Sequence, residues 1–430
     1  MSNTHREILR LALPSVATNI SVPLLGLVDT AIVGHLGLPE YIAAIAIGTT
    51  VFNVCYWIFA FLRMGTTGLV AQAKGCNDTM LIRDILQRAL LLGGLLSVVL
   101  LLLQGPILHL SLWLMPAEAE TAQMVATYFG ICIWGAPAML SLFVLNGWFI
   151  GCQDTRSPMW IAIGQNLLNI AVSLMLVFRF GWKIEGVATG TLCAQWSAFL
   201  LALLLMQRHQ MPANSQENEK RHVSLRRFLG INRDIFLRTV CLVAVTLYFT
   251  SAGTRLGNTT LAANAILMQF FIFYSYFTDG LANAAEALSG KYAGAGNKRM
   301  LDSVVRAIFV EGGIIAAAFA LVYLCSGHAI LRLLTDQASV VQSASDYLPW
   351  VIVIPIVALP AMVWDGVFIG LTWTRRMLLS MSAAALVFFV VCRTMPLCMP
   401  PNHALWLAFD AYLLTRGALQ TVFTYNRQTH

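Results

Sequence analysis

The stretch NGWFIGCQDTR (Asn146–Arg156) returns later in the chain as DGVFIGLTWTR (Asp365–Arg375). Gly147, Phe149, Ile150, Gly151, Thr155 and Arg156 recur as Gly366, Phe368, Ile369, Gly370, Thr374 and Arg375, all at one offset. The related segments start at Tyr128 and Tyr347. The same offset, with no gap, carries Ala43, Ala44, Ala46, Ile47, Phe52, Leu62, Leu69 and Gly75 onto Ala262, Ala263, Ala265, Ile266, Phe271, Leu281, Leu288 and Gly294. Both copies lie inside long apolar runs. A chain that is nearly all membrane span, built as two copies of one half, has the layout of a transporter. Such proteins bind cargo between the halves and rock one half against the other.

Composition agrees with lipid as the solvent. Hydrophobic residues make up 58% and charged residues 11%, and mean hydropathy is +0.73. A soluble domain carries roughly 25% charged residues. Apolar runs long enough to cross roughly 30 Å of hydrocarbon recur along the chain. Period-2 alternation is absent, which argues against a lipid-facing barrel. The expected spans are 8–34, 42–72, 86–110, 123–150, 158–180, 184–207, 232–254, 260–290, 304–326, 344–370, 377–396 and 403–424. The expected fold is therefore an all-α integral membrane protein. Its 12 transmembrane helices form two six-helix lobes related by a pseudo-two-fold axis along the membrane normal. The lobes are residues 1–207 and 231–430, with a polar cytoplasmic linker at 208–230. The tail of that linker, HVSLRRFLG, is basic enough to form a short amphipathic helix on the membrane surface or to remain a solvated loop.

The net charge of +7 does not call for a nucleic-acid partner. Lys and Arg gather in connections on one side of the predicted membrane, and the other side holds few. This is the positive-inside pattern, and it places both termini in the cytoplasm of a bacterial inner membrane. The first apolar run is too long for a cleaved signal and is followed by further spans. The nine cysteines are scattered, with no Cys/His grouping at ligand spacing. No P-loop, HExxH or GxSxG motif occurs, so neither ATP-driven transport nor an enzyme is expected. No cofactor is expected either, and the chain is read as a monomer.

The repeats match worst in their first helices, which draws attention to Asp29 (SVPLLGLVDTAIVGHLG). A charged Asp at mid-span costs about 2.5–3.5 kcal/mol on insertion scales. A carboxyl there tends to take up a proton, since leaving water disfavours its charged form. Pro14, Pro23 and Gly26 weaken the same helix, so a titrating group sits on a bendable segment. In the fifth span Asn166 and Asn169 share a face, and Thr191 of the sixth could complete a polar pocket; helix–helix hydrogen bonding is the plainer role. In the second half, Asp279 and Glu286 lie seven apart on one face, and Asp365 replaces Asn146. Glu311 and Asp410 are further acids at membrane depth. Arg63 is read as the one clear base within the spans. These acids and Arg63 serve either a salt-bridge network or cargo and proton handling.

The chain resembles the MATE (multidrug and toxic compound extrusion) family, in its bacterial DinF-like branch. The resemblance rests on PLLGLVDTAIVGHLG, FLRMGTTGLVAQAKG, NGWFIGCQDTR, NLLNIAV, DGLANAAEALSGKYAGAG, DGVFIG and NHALWLA, and covers nearly the full chain. It implies a two-lobed antiporter that exports organic, often cationic small molecules in exchange for H+ or Na+. Asp29 matches the family's first-helix acid, Pro14 its first-helix proline, and Asn169 and Thr191 polar positions that network with that acid. One departure stands out. The fifth-helix motif commonly ends in Asp, and here Ser173 stands in that place. A cation cage needs several oxygen ligands, whereas one acid in an apolar lobe still handles a proton. H+ is therefore favoured over Na+ as the coupling ion. A lipid or lipid-linked sugar flippase is the alternative. It is disfavoured because such proteins line a cavity with Arg or Lys, and these spans are read as nearly free of basic residues, Arg63 excepted.

Overall fold

The structure is a computed structural model. It describes residues 3–34, 39–209 and 223–428, with side chains for 3–21, 32, 40–209 and 223–425. Fifteen helices and no strand occur among the described residues. They are α1 (Asn3–Gly34), α2 (Pro39–Ile58), α3 (Phe61–Gly75), α4 (Thr79–Leu102), α5 (Gln104–Leu114), α6 (Ala119–Cys132), α7 (Ala136–Gly151), α8 (Arg156–Leu174), α9 (Ile184–Arg208), α10 (Leu225–Arg255), α11 (Asn258–Gly294), α12 (Lys298–Leu334), α13 (Ala338–Gly370), α14 (Thr374–Thr394) and α15 (Pro401–Gln428).

Ten segments among the described residues are long and apolar enough to cross a membrane. With α1 and α15, helices of 32 and 28 residues, they make twelve, six in each half of the sequence. Helices α2 and α3 together form one span, as do α6 and α7 across a short 3-10 turn at Ile133–Gly135. Their counterparts in the second half, α11 and α13, run unbroken. The expected linker falls outside the described residues at 210–222. Its tail is helical from Leu225, as the first turns of α10. Apolar side chains face outward as well as inward. On α4, Leu91 is 74% exposed and Leu102 is 76% exposed. Such a stripe is unfavourable in water and natural against acyl chains.

The packing divides the chain into two units, Ala17–Leu225 and Met1–Val16 with Arg226–His430. The boundary thus falls inside α1, and the first turns of that helix pack with the second half of the sequence. There Lys291 Nζ donates to Glu7 Oε1 at 2.8 Å and Tyr292 OH donates to Glu7 Oε2 at 3.0 Å. His5 Nδ1 lies 2.8 Å from Glu311 Oε1. Further along α1, Gly280 of α11 leaves room for Val16 and the Ala12 carbonyl.

The repeated sequence does the same physical work in each unit. Gly147 and Gly151 of α7 face α3: a Cβ on them would lie 2.4 Å from the Arg63 carbonyl oxygen and 2.9 Å from that of Thr67. Gly366 and Gly370 of α13 face α11, where a Cβ would lie 2.5 Å from the Ala282 and Glu286 carbonyl oxygens. Each Gly-x-x-x-Gly pair lets two helix backbones meet, which is how membrane helices gain packing energy without a hydrophobic driving force.

The turns repeat too. After α7, Gln153 takes φ 67°, and after α13 Thr372 takes φ 55°. The next residue closes each helix, Asp154 N donating to Phe149 O at 2.9 Å and Trp373 N to Phe368 O at 2.8 Å. Asn77 and Gly296 form the matching pair after α3 and α11, with φ 56° and 68°. Asp78 and Asn297 then cap α4 and α12, accepting from Leu81 N at 2.9 Å and Met300 N at 3.1 Å.

The halves differ at Asp154, whose Oδ1 accepts from Arg156 N at 3.0 Å and Ser157 N at 3.1 Å. His209 Nε2 lies 2.7 Å from its Oδ2. Burial opposes the charge of Asp154, but the Ser157 hydrogen bonds and His209 outweigh it and hold the carboxyl below its usual range.

Gly147→Val and Gly366→Val should each destabilise the protein by about 1–3 kcal/mol through overpacking. Because the two glycines lie in separate units, the double variant should lose about the sum. Thermal unfolding in detergent measures this, and an unchanged melting temperature would contradict the close-approach role.

Candidate functional site

In the amino-terminal unit a line of amides and hydroxyls runs along α8. Asn166 Nδ2 donates to the Ser21 carbonyl oxygen of α1 at 3.0 Å. One turn on, Asn169 is buried and its Nδ2 donates to Thr191 Oγ1 of α9 at 3.0 Å. Thr191 Oγ1 in turn donates to the Val187 carbonyl oxygen at 3.1 Å. Another turn on, Ser173 is buried against Gly190, where a Cβ would lie 2.2 Å from Ser173 Oγ. Two buried oxygens on this face, Asn169 Oδ1 and Ser173 Oγ, have no hydrogen-bond partner among the described residues. Buried polar atoms are rarely left so, and each marks a place for a further polar group.

The structure therefore brings together three of the expected polar residues, Asn166, Asn169 and Thr191, and adds Ser173. Asn166 ties α8 to α1 at Ser21, about two helical turns before Asp29. The side chains of Asp29 and Pro23, and the surroundings of Gly26, lie outside the described residues. Pro14 lies within α1 and is not without contacts.

In the carboxy-terminal unit the acid of the repeated motif is enclosed by charge. Arg238 Nη2 of α10 and Arg416 Nη2 of α15 both donate to Asp365 Oδ2. Gln420 Nε2 donates to Asp365 Oδ1 at 2.6 Å. All four side chains are buried, so this centre carries one net positive charge inside the bundle. Asp234, about one turn before Arg238, is paired with Arg233 at 2.9 Å and accepts from Thr374 Oγ1 at 3.2 Å. Asn146, the counterpart of Asp365, has no such partners among the described residues, where its Oδ1 is unsatisfied.

The MatE family profile matches residues 14–175 and 235–394, the two repeats. The chain belongs to the MatE family. A curated relative, DNA damage-inducible protein F of Escherichia coli K12, is 37% identical over 420 residues, which is 97% of this chain and 91% of that protein. Multidrug resistance protein MdtK of Proteus mirabilis is 26% identical over 354 residues, covering 79% and 76% of the two chains. Among solved structures, a MOP superfamily transporter from Pyrococcus furiosus superposes with a TM-score of 0.87 at 18% identity, covering 99% of this chain and 96% of that one. A MATE structure in the bent conformation gives 0.88 at 18% identity, with the same coverage. The expected all-α two-lobe fold is thus the fold present. The MatE chain is a multi-pass membrane transporter of small molecules and not an enzyme.

Other expected residues fall elsewhere. Arg63 lies on α3 in the amino-terminal unit, where its carbonyl oxygen meets Gly147 and accepts from Thr67 Oγ1 at 2.9 Å. It is not the only base at membrane depth. Arg238 and Arg416 are 7% and 5% exposed, which corrects the reading of the spans as free of other bases. Both sit within apolar runs, and sequence spacing alone does not show that they converge on Asp365. Asp279 and Glu286 share a helix but not an environment: Asp279 is exposed and Glu286 buried. Neither is without partners.

A buried amide ladder of the NHALWLA segment was also missed. Asn264 and Asn402 exchange bonds of 2.7 and 3.0 Å, and Trp406 Nε1 donates to Asn264 Oδ1 at 2.9 Å. The pairing of an amide on α11 with one on α15 is a long-range fact that a lone sequence does not display. Among the described residues no Cys, His, Asp and Glu grouping could hold a metal ion.

Asp365→Ala would leave two guanidiniums buried without counter-charge and should cost about 3–5 kcal/mol. Replacing Asp365, Arg238 and Arg416 together with apolar residues of similar volume should cost much less. Denaturation of the detergent-solubilised variants checks the difference; equal losses would show that the ion pairs do not act as one unit.

Proposed function

We propose that this MatE protein is a secondary antiporter that exports organic, cationic or amphipathic small molecules in exchange for H+ by alternating access. In this reading Asp29 is the proton site. The repeats act as the two lobes of a monomer in the bacterial inner membrane, with both termini in the cytoplasm. The name of one relative, multidrug resistance protein MdtK, supports drug-like small molecules as cargo.

One observation carries the choice of ion. The α8 face that Asn166 ties to α1 offers only amide and hydroxyl oxygens, two of them unsatisfied, and no carboxylate where Ser173 stands. A Na+ cage needs several oxygens with enough negative charge to replace water. A proton needs one titrating carboxyl, and neutral amides and hydroxyls suffice to hold either form. The other motif acid, Asp365, is already neutralised by Arg238 and Arg416. Those two bases are also committed to Asp365, so they do not supply the free cationic lining that a carrier of lipid pyrophosphates would use.

Asp29→Asn should insert and fold normally yet lose efflux driven by a pH gradient. Dye export from everted vesicles, with Na+ present and absent, tests this. Wild-type efflux should be unchanged by removing Na+. Normal pH-driven efflux from the Asn variant would remove Asp29 from the mechanism.

A further inference from the structure

Five carboxyl side chains are buried in the carboxy-terminal unit: Asp234, Glu286, Glu311, Asp365 and Asp410. Four have at least one partner, although Glu311 Oε2 is itself without a hydrogen bond among the described residues. Asp234 has Arg233 and Thr374, Glu311 has His5, and Asp365 has two arginines and Gln420. Glu286 has contacts of its own. Asp410 differs. It is 8% exposed, its Oδ1 has no hydrogen-bond partner, and no cation pairs with it among the described residues.

Asp410 lies far from both ends of α15, and its level in the bundle is fixed by two rungs. Trp350 Nε1 of α13 donates to His403 Nδ1 at 3.0 Å. Seven residues beyond Asp410, Gly417 packs on Pro360, where a Cβ would lie 2.9 Å from the proline Cβ. His403, Asp410 and Gly417 recur at heptad spacing, so they share the stripe of α15 that meets α13. Between the two rungs α13 carries Pro355, which has no N–H for the Val351 carbonyl. The Pro355 carbonyl oxygen itself accepts from Tyr274 OH at 2.8 Å. The acid is thus level with a break in the hydrogen-bond ladder of its neighbour.

The other titratable or charged groups on the packed helices are occupied or distant along the helix. On α10 and α11, whose Phe249 and Phe271 rings meet Phe409, Arg238 serves Asp365, Tyr274 OH donates to the Pro355 carbonyl oxygen, and Asp279 and Glu286 have contacts of their own. On α15, His403 meets Trp350 and Tyr347, Tyr412 OH donates to Met381 Sδ at 3.0 Å, and Arg416 serves Asp365. Tyr425 lies near the far end of α15. On α13, Asp346 and Tyr347 lie toward the start and Asp365 toward the end. On α14, Arg375 and Arg376 lie at the start and Cys392 and Arg393 at the end, with Arg376 Nη1 donating to the Phe423 carbonyl oxygen at 3.0 Å.

A carboxylate with no counter-charge is what a membrane interior tolerates least, whereas the carboxylic acid is accommodated. We propose that Asp410 is a second proton-binding site, in the carboxy-terminal unit, carrying its proton in the conformation described here and releasing it when water reaches the α13–α15 seam. The proposal deepens the proton-coupled reading, yet the site itself is independent of Asp29.

The test is infrared difference spectroscopy of the full chain in nanodiscs with isotope-labelled aspartate, titrated with pH, joined to proton-flux measurements in proteoliposomes. A carboxylic-acid C=O component should be present near neutral pH and fade on alkalinisation. This component should be lost in Asp410→Asn and kept in Asp29→Asn, which removes any separate contribution of Asp29. Asp410→Asn should still export substrate but move fewer protons per substrate. If the Asn variant folds poorly, Asp410→Leu and the wild-type titration carry the same test. A missing band near neutral pH, a band that never titrates, or an unchanged proton-to-substrate ratio in the variant would overturn the assignment. Loss of coupling in Asp29→Asn alone, with Asp410 silent, would leave the main reading intact and remove this one.

Discussion

In each unit two helices meet by a backbone-to-backbone approach that only glycine permits. Gly147 and Gly151 seat α7 against the Arg63 and Thr67 carbonyls of α3, and Gly366 and Gly370 seat α13 against the equivalent carbonyls of α11. In lipid there is no water to expel between helices, so close packing of this kind is a main source of attraction. It also places the repeated motif at the centre of each unit. Asn146 and Asp365 immediately precede the first glycine of each pair, so a polar group is delivered to the inside of both bundles by the same contact.

From that shared frame the halves diverge electrostatically. Along α8 the amino-terminal unit presents neutral groups, the amides of Asn166 and Asn169 and the hydroxyl of Ser173, with Thr191 of α9 beside them; Asn169 Oδ1 and Ser173 Oγ lack partners among the described residues. The carboxy-terminal unit closes Asp365 with two guanidiniums and Gln420. Breaking one member of such a buried cluster exposes the cost of the others. Both places hold buried atoms without partners among the described residues, Arg238 Nε, Arg416 Nε and Gln420 Oε1 in the one and Asn169 Oδ1 and Ser173 Oγ in the other. The contrast therefore lies in charge: the carboxylate of Asp365 is held by fixed guanidiniums and is a brace, while the α8 face is built of neutral groups. The division of labour follows from one substitution in the repeat, Asn146 against Asp365, and from Arg238 and Arg416 placed to meet the acid.

The repeat and the span count were legible because they are periodic or compositional, whereas the helix ends were not: the third expected span, 86–110, is Thr79–Leu102 followed by a separate helix, and the ninth, 304–326, extends over Lys298–Leu334. Apolar runs announce spans. The ion cluster was not legible, because Arg238, Asp365 and Arg416 come from three helices and nothing in their spacing shows convergence. The packing of Met1–Val16 with the second half of the chain was hidden for the same reason. At the candidate site, the Asn169–Thr191 pair was foreseen as a polar pocket, whereas the unsatisfied oxygens beside it emerge only from the packed structure.

The most direct measurement is the internal pH of wild-type proteoliposomes when a substrate gradient alone is imposed in Na+-free buffer. Substrate moving down its gradient should drive protons the opposite way, so the internal pH should shift with substrate and the shift should be abolished by a protonophore. Substrate movement with no change in internal pH, restored or accelerated only by Na+, would contradict the account.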